Sequence, residues 1–435
     1  MRRLLFLICV GAIATATAVG QTAPQGDQTQ EIKDLRERME RLEKRLEELE
    51  AIQGSQLAVA HADPKITTPT KSDPAPEVSK GQEQRPESHS EHAQFPRVEA
   101  NYPSLQFRGF TDIDFAATDQ KGVPSSSGFR LGQFVLHLTS PLSKKISFFG
   151  EISFTARPDG FALEVERSVI RYDYDDYFKL SFGRYHTPIN YWNTAYHHGL
   201  WLQTTIDRPE MIQFGGRLLP VHFVGFLAEG SIPSGGIGLN YNVGVGNGRG
   251  AIISRAGDAG DINNNRAWVV NIFARPASLY GFQVGGSLYG DKVSPAVAPT
   301  NAIGPNAREL ITSAHIVWTK EHPEFLAEFA NVRHRDIATD QVFNSQAFYI
   351  QVAYRLPWLD KRWKPYYRFE HIHVPASEPI FHLAGNTVLN LVGSTVGLRY
   401  DISEYAAFKG EYRNVRRLAG EPRINGLFIQ TSFTF

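Results

Sequence analysis

The densest group of recognition side chains lies between residues 187 and 219. Trp192, His197, His198, Trp201, Arg208 and Arg217 fall there, together with Tyr191 and Tyr196. Arg184 stands just before this stretch, and Arg368 and Arg413 follow far along the chain. A guanidinium offers parallel N–H donors in a planar fork that suits carboxylate and phosphate. Such a set binds and orients rather than breaking bonds. The sequence contains no Gly-x-Ser-x-Gly elbow and no His-Glu-x-x-His pair, so no catalytic residues are assigned. A site assembled in space from Ser, His and a polar orienter is the enzymatic alternative. His197 and His198 are adjacent and would point apart, and no close carboxylate or thiol completes a ligand set. No metal and no cofactor is therefore expected. A water-solvated loop has little use for two Trp and two Tyr. Folded into a lumen it would have one, so 187–219 is predicted to form a constriction. A lid packed on a neighbouring subunit is the alternative.

What holds that stretch follows from the rest of the chain. The 435 residues have 45 Lys plus Arg against 45 Asp plus Glu, a net charge of zero that argues against a nucleic-acid partner. Beyond the first two dozen positions no apolar run is long enough for a membrane helix. From 103 onward the hydrophobic period is two. Ile146, Phe148, Gly150, Ile152 and Phe154 alternate with Ser147, Phe149, Glu151, Ser153 and Thr155. Similar stripes occur at Trp268–Ala274, Phe348–Tyr354 and Leu427–Phe435. Sixteen strands are predicted, at 104–116, 128–139, 146–156, 162–174, 178–186, 220–231, 237–247, 264–275, 280–290, 308–319, 324–334, 344–355, 362–374, 387–400, 405–416 and 424–435. Phe214–Leu219 is assigned to the long loop, because counting it as a strand would make the total odd. Short turns such as 276–279 and 401–404 then alternate with mostly longer links such as 248–263 and 375–386. The stripe opposite the apolar one carries Glu151, Glu164, Glu166, Arg355, Arg368, Glu370, Lys409, Glu411 and Arg413. An apolar exterior around a wet interior predicts an all-β, sixteen-stranded antiparallel transmembrane barrel over 103–435. His371 and His373 share a face with Tyr367 and Phe369, which places them at the outer rim of the apolar side.

The N-terminal hundred residues read differently. Arg2 and Arg3 precede an apolar core at Leu4–Ala14, and Ala18-Val19-Gly20 supplies small residues. This predicts a signal peptide over 1–20, with cleavage after Ala18 nearly as good. The chain's one cysteine, Cys9, lies within it. Ile32, Leu35, Met39, Leu42, Leu46 and Leu49 are spaced 3-4-3-4-3, which predicts a coiled coil over 31–53. Residues 54–100 carry six prolines among polar residues and read as a disordered linker. An even strand count puts both barrel termini, and so the coiled coil, on the periplasmic side. A tether to the cell wall is a further role open to this segment.

Residues Leu180–Pro188 read as a strand ending in Gly183-Arg184, with Pro188 shortly after. Tyr241–Gly248 closes in Asn247-Gly248, and the chain ends Phe433-Thr434-Phe435. On these segments the region 103–435 resembles the phosphate-selective porin O/P family of Gram-negative outer membranes. The resemblance implies a homotrimeric sixteen-stranded channel in outer-membrane lipid, with a loop folded into the pore. It does not carry over phosphate specificity, whose basic residues do not align. The lumen charge bears on selectivity directly. Residues 101–435 hold 23 Arg and 9 Lys against 29 Asp plus Glu. Arg184, Arg208, Arg217, Arg368 and Arg413 are the inward or loop candidates. The expected function is passive diffusion of small hydrophilic solutes, with either a weak preference for small, phosphate-like anions or no selectivity.

Overall fold

The computed structural model describes residues 102–119, 127–157, 159–196, 200–213, 217–297, 302–384, 387–417 and 424–435. The predicted signal peptide, coiled coil and linker lie outside the described residues, as do His197 and His198.

The strands in chain order are β1 (Gln106–Thr118), β2 (Gly128–Pro141), β3 (Ile146–Arg157), β4 (Gly160–Asp173), β5 (Lys179–His186), β6 (His222–Ile232), β7 (Leu239–Asn247), β8 (Ala267–Ala274) and β9 (Phe282–Val293). They continue as β10 (Ala296–Val297), β11 (Ala302–Ile303), β12 (Ala307–Trp318), β13 (Glu324–Asp336), β14 (Val342–Ala353), β15 (Trp363–His373), β16 (Leu391–Ser403), β17 (Ala406–Arg417) and β18 (Ile424–Thr434). Sixteen of these form one closed antiparallel barrel in which β1 pairs with β18 and β9 with β12. All sixteen predicted strands are present, with ends shifted by a few residues. β10 and β11 form a separate two-stranded ribbon within the predicted 291–307 link. They were not anticipated, because two residues are too few to show a period. Arg217–Leu219 is loop, in keeping with the strand parity.

Closure runs from Phe110 opposite Thr434 to Thr118 opposite Gly426. Along β18, Leu427 and Ile429 face outward and are exposed, while Gln430 and Ser432 face inward and are buried. The same alternation runs round the wall. Phe129, Phe161, Phe182, Trp268, Ile350, Val396 and Tyr412 are among the exposed outward residues. An apolar band this continuous is an interface with something other than water. His371 and His373 lie on this outward face near the long-loop end of β15, where His371 stacks on Phe348.

Two bulges adjust the inward stripe. In β4 the register shifts opposite Glu151/Ile152, so consecutive residues Glu166 and Arg167 both enter the lumen. Ser153 Oγ donates to Glu166 at 2.7 Å, and Arg167 Nε donates to Glu151 at 2.6 Å. Between β1 and β2 the shift lies at Thr111/Ile113, where Gly132 and Gln133 of β2 together face Asp112. Asp112 turns in to accept from the Gln133 amide at 3.0 Å. Its carboxylate fills the place where a side chain at Gly132 would start, 1.6 Å from an ideal Cβ. A bulge sets two residues of one strand against one of its partner, and a glycine in the bulged pair leaves room for the Asp112 carboxylate.

The short-turn end is tied by charge. Glu321, between β12 and β13, meets Arg355 and also Lys364 Nζ at 3.0 Å. Arg355 bridges onward to Asp401 at 2.5 Å. Burial pushes the Glu321 carboxyl up, but the Arg355 hydrogen bond and the Lys364 charge outweigh it and hold it at about 2.

Two outcomes follow from this geometry. Gly132→Ala should destabilise the barrel by about 1–3 kcal/mol, because the buried Asp112 carboxylate would have to shift from its bond with the Gln133 amide to clear the new Cβ. Gly410→Ala, with nothing within 4 Å, should change little. Thermal unfolding of the two variants in detergent checks both. A folded-state pKa below the ordinary carboxylate value contributes stability above that value, and the contribution is lost as pH falls toward about 2. The thermal midpoint should therefore drop over that acid window. Glu321→Gln should flatten that part of the profile.

Candidate functional site

The described residues of the segment 187–221, between β5 and β6, lie inside the barrel. Its neck is closed by the Thr187 amide donating to Val221 O and by Asn193 Nδ2 donating to both Thr187 O and Val221 O, all at 2.9 Å. A single helical turn, α1 (Trp192–Ala195), follows. The first amides of a helix have no partner within it. Here Tyr191 N and Trp192 N donate to Glu328 Oε1 of β13 at 2.9 and 2.6 Å. The Trp192 ring is 1% exposed and lies between Tyr196 and Tyr349. Ile189, Met211, Ile212, Leu218 and Leu219 pack with it against the inward Tyr185, Phe223, Tyr289 and Tyr349. The hydrophobic core of this molecule thus lies inside the lumen.

Beyond α1 the loop lies along the wall formed by β13 to β17. Wall carboxylates take its donors. Thr204 Oγ1 donates to Glu324 at 2.7 Å, Ile206 N to Glu411 at 2.6 Å and Glu210 N to Glu370 at 2.7 Å. Wall cations take its carbonyls. Arg399 donates to Leu202 O at 3.1 Å and Gln203 O at 2.8 Å, and Lys409 donates to Leu200 O and to Thr205 O. Arg368 donates to Asp207 O at 2.7 Å and to Thr205 Oγ1 at 2.9 Å. Arg413 pairs with Asp207 of the loop and, at 2.6 Å, with Glu411 of its own strand. Arg399 and Lys409 are directly opposite on β16 and β17. Two cations so placed repel each other unless a third group intervenes. Asp401, which pairs with Arg399 at 2.6 Å, and the loop carbonyls together supply it.

The return leg is clamped at the long-loop end. Arg249, buried, donates to Arg217 O at 3.1 Å, Leu218 O at 2.6 Å and Ile253 O at 2.9 Å, and pairs with Glu309 at 2.9 Å. Glu309 meets His334 at 2.8 Å, and the other ring nitrogen of His334 meets Glu378 at 2.6 Å. This chain joins the 187–221, 248–266 and 374–390 segments through the wall.

The structure brings together some of the residues singled out from the sequence and separates others. Arg368 and Arg413 face inward, and both are bound to the loop. Arg208 is buried within the loop itself, with Nη1 donating to Ile212 O at 3.3 Å. Arg217 stands at the long-loop end, donating to Thr387 O at 3.2 Å. Trp192 is buried and Trp201 is half-buried. Arg184 stands opposite Ser168 on β4, where it meets Val165 O and, at 3.0 Å, Asp258 of the 248–266 link rather than the 187–221 loop. The anchors Glu324, Glu328, Arg399 and Arg249 were not singled out. The sequence signal for three of them was inward parity in β13 and β16, but their partners lie 120 to 197 residues away.

Among the described residues two spaces beside the loop stand out. One, of about 400 Å³, lies between the loop and β15–β18. Arg208, Arg217, Arg368, Arg413 and Arg417 face Asp207, Glu210 and Glu370 there. The other, of about 220 Å³, lies on the β3–β9 side. Arg167, Arg171, Lys179 and Arg275 line it with Asp176 and Glu229. Arg167 pairs with Glu151, and Arg171 with Asp173 at 2.7 Å. Among the described residues no carboxylate pairs with Lys179 or Arg275; Arg275 donates to Gln283 at 2.8 Å.

No family model matches this sequence, and no curated protein matches it. Solved structures do. The chain is similar to OmpT, an outer membrane protein of Vibrio cholerae, in its trimer form (10% identity, TM-score 0.52, covering 77% of this chain and 100% of that one). It is similar to an anion-selective porin from Comamonas acidovorans (10%, TM-score 0.54, 77% and 100%). It is also similar to the outer membrane channel DcaP of Acinetobacter baumannii (10%, TM-score 0.50, 77% and 97%). At these identities the likeness is one of fold: the described region is a porin-type β-barrel.

Proposed function

We propose that this protein is a porin of the Gram-negative outer membrane, a passive channel for small hydrophilic solutes and not an enzyme. The observation that carries the reading is the combination of a dry exterior, a charged interior and a tethered loop narrowing the passage between them. Closed barrels are one of the two folds that satisfy every backbone group in lipid. Charge and size selection in a pore come from the side chains at its narrowest part. The short-turn end, with both barrel termini, faces the periplasm, where the N-terminal segment then also lies. The long links face outward. The segments Leu180–Pro188 and Tyr241–Gly248 support a closer kinship with the phosphate-selective O/P porins. The trimer form of the Vibrio structure and the exposed apolar wall support a homotrimer.

A weak anion preference is the reading that the 220 Å³ space favours. Lys179 and Arg275 line it without carboxylate partners, whereas Arg368 and Arg413 are committed to the loop. Selectivity therefore rests on Lys179 and Arg275 more than on the arginines at positions 208, 368 and 413.

Single-channel recording tests this. Deleting 200–213 should raise conductance, since the loop leaves half the lumen. Replacing Lys179 and Arg275 together by Ala should lower the anion-to-cation permeability ratio roughly fivefold, equivalent to ~1 kcal/mol for charge lost near a wet surface. Unchanged conductance in the deletion would place the passage elsewhere. Topology is read separately. The sole cysteine, Cys9, lies in the predicted signal, so single cysteines introduced at 255 and 278 can be labelled on whole cells. Label at 255 and none at 278 is expected; the reverse would invert the barrel.

A further inference from the structure

We propose that the outward face of β9, β12 and β13, at their long-loop ends, is a docking surface for the phosphate-bearing headgroup of an outer-leaflet glycolipid. Lys292 on β9 lies directly opposite Arg308 on β12, and Arg308 lies directly opposite Arg335 on β13. Arg333 sits two residues nearer the apolar band, on the same outward face. Directly opposed residues of adjacent antiparallel strands stand roughly 5 Å apart. Three cations in one row, with a fourth below, therefore occupy an area comparable to one phosphorylated sugar.

Such a row is destabilising by itself, because like charges directly opposite repel. Its relief comes only in part from within the chain. The outward positions of these three strands carry no Asp or Glu at all. Asp340, in the hairpin after β13, pairs with Arg335 at 2.5 Å and leaves Lys292, Arg308 and Arg333 without a carboxylate partner among the described residues. The four positions also sit where the wall turns apolar. Along the same strands toward the short turns come Leu288, Ile316 and Phe329, all exposed.

The opposite rim of the same strands is built differently. There Trp318 is opposite both Phe282 and Phe325, and Trp318 contacts Phe282 at 6.2 Å between ring centres. Aromatic rings suit the interface of either leaflet, whereas an unpaired cation at the edge of lipid needs an anionic headgroup. A leaflet of phosphorylated glycolipid supplies phosphate at that depth and acyl chains for Leu288, Ile316 and Phe329. The inference rests on the outer-membrane reading above, with the long-loop end outward.

The test uses the full mature chain in neutral detergent, titrated with diphosphoryl lipid A and followed by native mass spectrometry. Wild type should retain the lipid. The Lys292→Gln, Arg308→Gln, Arg333→Gln triple variant should bind it at least tenfold more weakly. An Arg308→Lys, Arg333→Lys variant, which keeps every charge, should bind within about threefold of wild type and shows that the site tolerates substitution. Monophosphoryl lipid A should bind more weakly than the diphosphoryl form. Equal retention by wild type and the triple Gln variant would overturn the proposal. So would complete displacement by inorganic phosphate at concentrations equal to the lipid, which would mark a general anion site instead. Conductance of the same triple variant is measured in parallel. Because these residues lie outside the lumen it should match wild type, so a failure of lipid binding stands apart from a failure of the channel reading.

Discussion

An irregular backbone segment cannot be enclosed unless its amides and carbonyls find partners. The 187–221 loop meets this constraint without any sheet or long helix of its own. Glu328, Glu370 and Glu411 act as acceptors in place of missing backbone carbonyls, and Glu324 takes the Thr204 hydroxyl. Arg368, Arg399 and Lys409 act as donors in place of missing amides. The wall of the barrel thus behaves as a template of alternating charge, and the loop is the strip laid onto it. Taking away one wall charge would leave an enclosed loop group unmatched, with a penalty of order 1–3 kcal/mol.

This arrangement changes what the interior charges mean. A list of inward Arg and Glu suggests a field acting on a passing solute. Much of it is internally compensated here, between Arg413 and Asp207, between Lys364 and Glu324, and between Arg249, Glu309, His334 and Glu378. On the β3–β9 side the lining includes polar amides such as Asn242 and Asn271, which hydrogen-bond to each other at 3.1 Å. The charges left to act on a solute are few.

The fold was legible because a strand that is apolar outside and wet inside writes its period into every second residue. Sixteen stripes and the even parity could be read at Ile146–Phe154 as well as at Leu427–Phe435. What Arg184 meets was not legible, since Asp258 lies 74 positions away in another link. The bulges were not legible, since Glu166-Arg167 reads as an ordinary charged pair until Glu151 and Ser153 are seen opposite. The loop's aromatic content was a sound guide to its enclosure. Its docking partners were not, because hydrogen bonds from Ile206 to Glu411 or from Tyr191 to Glu328 join residues 205 and 137 positions apart and leave no local spacing to detect.

Those separations have a kinetic consequence. Every anchor of the loop on β13 to β17 is made by strands that follow it in the chain by more than a hundred residues, and contacts of such high order form late. The wall, by contrast, zips mainly between sequence neighbours. Closure of β1 on β18, with Phe110 opposite Thr434, joins residues farther apart still. Loop docking and sealing of the barrel therefore both belong to the end of folding, after the strand pairs between sequence neighbours have formed.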